Sequence, residues 1–149
     1  MSTTTSTKEH TVTITTLAHA ITHTGVDVLD YLDRDANIPT VTSVACQGDV
    51  SIVRDDDTAP ATAWMPPSVA VVRGESGGNT HSLHPVGPCA WAPSKSSSPT
   101  DLTLGTLTVP DGSQALMLHP EHGALLIDPG TYRIGRQREY AGEWAYVAD

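Results

Sequence analysis

The sequence predicts an all-β fold, a single small jelly-roll or β-barrel of about eight short strands. Three observations carry that expectation. Thr is the commonest residue, and Ser and Thr together make up about a fifth of the chain; Thr, Val and Ile suit pleated surfaces and lose side-chain freedom in helices. The 11 Pro and 12 Gly are scattered as punctuation through the 149 residues. Between them the apolar runs are short and separated by turn residues, the spacing of strands and tight turns rather than of long helices.

In order along the chain, three parts are expected: an arm-like N-terminal extension over 1–16, a short helical lead-in over 17–40, and the β domain over 41–149. Residues 1 to 10 carry almost nothing to bury and are expected to be disordered when alone. Thr11 to Thr15 alternates polar and apolar residues, as a strand with one covered face does. Between Leu17 and Asp35 the pattern predicts the one short helix, started by a Thr24 cap, carrying Val28, Leu29 and Leu32 on its apolar side and stopped by Asn37-Ile38-Pro39. Strands are then expected at 41–45, 49–54, 69–73, 80–84, 102–109, 114–119, 124–128 and 131–140. The last three form a meander, turning at Pro120–Gly123 and Asp128–Gly130, whose two apolar strands read as covered on both faces. Along 131–140 alternation puts Arg136 and Arg138 on one face and Gln137 and Glu139 on the other.

Charge and length exclude several functions. With 17 acidic and 8 basic residues the formal charge is -9, opposite to what a phosphate-backbone binder needs, so no nucleic-acid partner is expected. No apolar run approaches the ~18 residues of a membrane span and no signal-peptide pattern opens the chain. The expectation is a protein of the cytoplasm, or of a particle assembled there, with no membrane partner. One domain of this length folds without metal or disulfides, burying roughly two thirds of its unfolded surface. Cys46 and Cys89 are too far apart for a Cys-x-x-Cys motif and read as two small buried thiols. Phosphate-loop, dinucleotide and Gly-x-Ser-x-Gly nucleophile motifs are all missing, so the balance leans away from an enzyme.

The histidines are the best chemical signal. Four of the seven fall in two short stretches, His81 with His84 and His119 with His122. Residues three apart on a strand face opposite ways, so His119 and His122 converge only if Pro120-Glu121 turns. With the 80–84 strand alongside, His81, His119, His122 and Glu121 would supply three or four N/O ligands, a set that suits Zn, Mn, Fe or Ni. The plainer alternative is a group of turn and surface histidines. In a catalytic version Glu121 or Glu139 is the general base and Arg138 orients an anionic substrate. Arg136 and Arg138 read otherwise as structural ion-pair partners, with Glu121 among the candidate acids. His19 and His23, four apart, read as unrelated to a metal, and Asp55-Asp56-Asp57 as a solvated loop.

The ordered blocks Gln47-Gly-Asp-Val50, Gly74-Glu75 with Gly78-Asn-Thr-His81, Glu121-His-Gly123, Pro129-Gly-Thr-Tyr132 and Gln137-Arg-Glu-Tyr140 resemble a family of small actinobacterial and phage-type β proteins over about residues 44–149. That resemblance brings no activity with it. Where such relatives carry Gly-His-x-His, this chain has Asn79, one ligand fewer. Gly123 to Gly130 also loosely resembles the second glycine-rich motif of cupins, without its downstream histidine, so what it implies is the jelly-roll shape alone. Two functions follow as expectations. One is a cupin-like binding module with a His/Glu site for a divalent metal or small polar ligand. The other is a non-catalytic assembly protein, a decoration or minor structural component of a phage-like particle, that uses its arm and sheet edges as a homo-oligomer or within a larger protein assembly.

Overall fold

The computed structural model describes residues 13–73, 79–96, 101–140 and 144–146, the backbone alone for 138–140 and 144–146. It is mostly β, with one helix, α1 (Leu17–Thr24), and twelve strands among the described residues. The strands are β1 (Thr40–Val41), β2 (Val44–Gln47), β3 (Val50–Arg54), β4 (Val69–Val72), β5 (His81–Val86), β6 (Ala90–Pro93), β7 (Thr103–Val109), β8 (Gln114–His119), β9 (Gly123–Ile127), β10 (Gly130–Arg136), β11 (Arg138–Tyr140) and β12 (Trp144–Tyr146). Ten of them form two five-stranded sheets, ordered β1-β9-β8-β5-β4 (sheet I) and β2-β3-β10-β7-β6 (sheet II), while β11 and β12 pair separately. No sheet closes into a barrel among the described residues, and the strands outnumber the eight expected.

The excess has local causes. The expected strand at 41–45 divides, because Val41 pairs in parallel with Ile127 of sheet I while Val44 begins the pairing of β2 with β3 in sheet II. Ala90–Pro93, hidden in a Pro-rich stretch, adds an edge strand beside β7. There Gly105 lets Trp91 lie flat on the sheet, since a Cβ at 105 would come within 2.5 Å of its ring. The single strand expected over 131–140 bulges between Ile134 and Gly135 and breaks at Gln137.

The two sheets share one core. Val50, Ile52, Leu107, Tyr132 and Ile134 of sheet II meet Leu83, Ala115, Met117 and Ile127 of sheet I in a single buried cluster. The opposite face of sheet I packs Val86, Leu116, Leu118 and Leu126 against Ile14, Leu17, Ala20 and Val28. β8 is thus buried on both faces, as its unbroken apolar run implies.

The helix lies one segment earlier than expected. Thr16, not Thr24, is the N-cap: its hydroxyl accepts the His19 amide N–H, and the His19 side chain accepts the Thr16 amide N–H in return. Gly25 closes the helix at φ +74°, where glycine carries no steric penalty. Val28 and Leu32 still pack on sheet I, but from an irregular segment. Of the Thr11–Thr15 strand only 13–15 lie within the described residues, where no strand is formed: the Ile38 N–H donates to the Thr15 carbonyl at 3.0 Å beside an isolated bridge from Thr16 to Asn37. Residues 1–12 of the expected arm lie outside the described residues. No helix among the described residues is long and apolar enough to cross a membrane. The cysteines are not paired; Cys89 is buried, its thiol pushed up to about 11 by that burial, but Cys46 is exposed because it sits on the outer face of β2.

Candidate metal centre

His81 opens β5 and His119 ends β8. The two strands are antiparallel with Leu83 opposite Met117 and Ser82 opposite Leu118, so continuing the register brings His81 opposite His119. Both share the face of Leu83 and Met117, turned toward the other sheet. The β8–β9 connection is a tight turn over Pro120, Glu121 and His122, closed by Gly123 at φ +86°. This turn folds His122 back onto His119. Ring centroids lie 4.2 Å apart for His81–His119, 4.5 Å for His119–His122 and 6.0 Å for His81–His122. One ring nitrogen from each can be chosen so that all three lie within 4.8 Å of one another. His81 and His119 are buried; His122 is exposed and borders a surface pocket of about 160 Å³ lined by Leu32, Asp33, Asn37 and Pro39 of the lead-in.

Glu121 does not join them. Its position at the tip of the turn leaves it exposed, and its backbone is what the site uses: the Glu121 N–H donates to His119 Nδ1 at 3.1 Å. That bond sets the neutral tautomer of His119, with its proton on Nε2. A cation at Nδ1 would have to displace that bond, and one at Nε2 would have to displace the proton there.

Sheet II reaches the same end of the core. Gln47 pairs with Val50, whose side chain is in the core, and is itself buried. Its Nε2 donates to the carbonyls of Met117 (3.3 Å) and Gly123 (3.2 Å), crossing to both strands of the histidine hairpin. Sequence reasoning missed this residue as part of the site; its only signal was its place in the Gln47–Val50 block. Arg136 pairs with the fully buried Asp49 (Nη2 to Oδ2 3.2 Å) and not with Glu121, because Arg136 lies beside Val50 on β10, next to the Gly48-Asp49 turn. The side chains of Arg138 and Glu139 lie outside the described residues.

The other histidines have different occupations. His84, on the opposite face of β5, meets Ser82 Oγ through Nε2 at 2.8 Å. Burial lowers its pKa, a hydrogen bond to the Pro67 carbonyl opposes that, and nearby His23 adds to the lowering. His19 caps α1 and His23 Nε2 donates to the Pro85 carbonyl at 2.9 Å. Asp55 accepts bonds from Asp57 and Thr58 within its own loop.

A family model described as a domain of unknown function, DUF8820, matches residues 46–137, well over half of the chain, and the chain belongs to that family. The matched segment holds Gln47, Asp49, all three clustered histidines and Arg136. No curated protein and no solved structure matches the chain.

Proposed function

We propose that this DUF8820 domain is a small binding module that takes a divalent metal ion on His81, His119 and His122. The carrying observation is the convergence of three imidazoles from two separate strands and a turn, with ring nitrogens within 4.8 Å of one another. Three neutral nitrogens suit Zn, Fe or Ni better than Mg or Ca, and three protein ligands leave positions open for water or a small polar ligand. His122 is the exposed member of the three and would be the first to meet an ion from solvent. Glu121 is no ligand in this reading. We take the finer fold to be a jelly-roll-like sandwich, supported by two facing sheets around one core.

Native mass spectrometry of the purified protein, before and after chelation, tests the reading. Near-stoichiometric metal that a chelator removes is the expected result. A metal-free protein that takes up none of Zn, Fe, Ni or Mn on addition overturns it, and a large metal-free oligomer favours the assembly role instead.

A further inference from the structure

We propose that the side-chain amide oxygen of Gln47 is the fourth protein donor of this centre, turning three nitrogens into an N3O set; the inference rests on the metal reading above. Gln47 lies on the interior face of β2, opposite Val50, and reaches across the core to the hairpin that carries His119 and His122. Its two contacts there are both backbone carbonyls, which accept and cannot donate. They fix which end of the amide is NH2 and therefore turn Oε1 away from them. That oxygen is buried and accepts no hydrogen bond among the described residues. Buried polar atoms nearly always have a partner, so a lone acceptor on an amide anchored to the hairpin of His119 and His122 points to a donor or a cation arriving from outside the chain. Gly123, one of the two anchors, is paired with His119 across the hairpin. The amide is therefore held by the strand residues that also fix a ligating histidine, and it comes from the opposite sheet, where none of the three histidines originates. A neutral amide oxygen is a harder donor than imidazole nitrogen, so it would complete a mixed N/O set.

Competitive zinc titration of the full chain separates the ligand role from a tethering role. The panel is wild type, Gln47→Met, Gln47→Glu and His119→Asn, each checked for folding by thermal melting without metal. Both Gln47 variants lose the NH2 donations to Met117 and Gly123, but only Glu keeps an oxygen. Expected are about a tenfold weaker zinc affinity for Gln47→Met and recovery to wild type or better for Gln47→Glu. Equal weakening in both makes Gln47 a tether only and overturns the proposal, as does wild-type affinity in Gln47→Met. If His119→Asn binds zinc as wild type does, the three-histidine centre itself fails. Should the Gln47 variants not fold, the wild type decides: with glutamine labelled at 13Cδ, the Gln47 signal moves on adding one equivalent of zinc, and an unmoved signal beside shifted histidine rings is the contrary result.

Discussion

His81 and His84 stand three residues apart on one strand and are equally buried, 1% and 2% exposed, yet they belong to different chemistries. His81 faces the other sheet and stacks on two further imidazoles. His84 faces the helix side, where a hydroxyl and a carbonyl occupy its ring nitrogens. Burial of a histidine is therefore no guide to its role. What distinguishes the two is the partner set: a hydroxyl and a carbonyl complete the His84 ring, whereas His81 lies against two further imidazoles whose nitrogens come within 4.8 Å of its own.

The largest effect that would break this contrast is on metal affinity. His81→Ala should weaken zinc binding on the order of a hundredfold in competitive titration, and His84→Leu should leave it unchanged; equal losses would erase the distinction. Stability gives the reverse order. His84→Leu strands the Ser82 hydroxyl and the Pro67 carbonyl, a cost of about 1–3 kcal/mol in chemical denaturation.

A pH series sharpens the same point. Burial holds His84 below its ordinary 6.5, so the folded protein resists a proton that the unfolded chain accepts. The share of stability that depends on neutral His84 should be fully present above 6.5 and fade as pH falls through the depressed value, and His84→Leu should flatten that part of the fall when melting temperature is followed. The smallest effect expected is at Tyr31, whose hydroxyl donates to the Glu121 carbonyl at 2.9 Å from an exposed position. Tyr31→Phe should cost about 1 kcal/mol or less in the same denaturation, and faster amide exchange at Glu121 would show that the lead-in steadies the histidine turn.

Much of sheet I was legible in the chain. The unbroken apolar run Ala115–Leu118 told of two covered faces, and Pro120 followed by Gly123 told of the turn that returns His122 to His119. Which way Glu121 points was not legible, because a turn tip presents its side chain to solvent whatever its neighbours ligate. Gln47 was hidden for a different reason: its contacts at Met117 and Gly123 are 70 and 76 residues away and depend on how two sheets face each other, which no local period encodes. The helix was misplaced because Val28 and Leu32 supply the apolar spacing of a helix face, while the decisive signal was a cap in which His19 takes the place usually held by an acid.

The parallel pairing of Thr40–Val41 with Leu126–Ile127 has a consequence for how the chain acquires its shape. β1 has no sheet partner until β9 has been synthesised, whereas β3 pairs with its neighbour β2 and gains its second partner, β10, only late. The residues of the proposed centre arrive on the ribosome's timetable in the order Gln47, His81, His119, His122, and Gln47 meets its anchors only once Gly123 has been made. Such long-range closure makes for slow folding. Until that late closure Gln47 lacks its anchors on the hairpin, so the proposed centre would be assembled in one concluding step and not ligand by ligand.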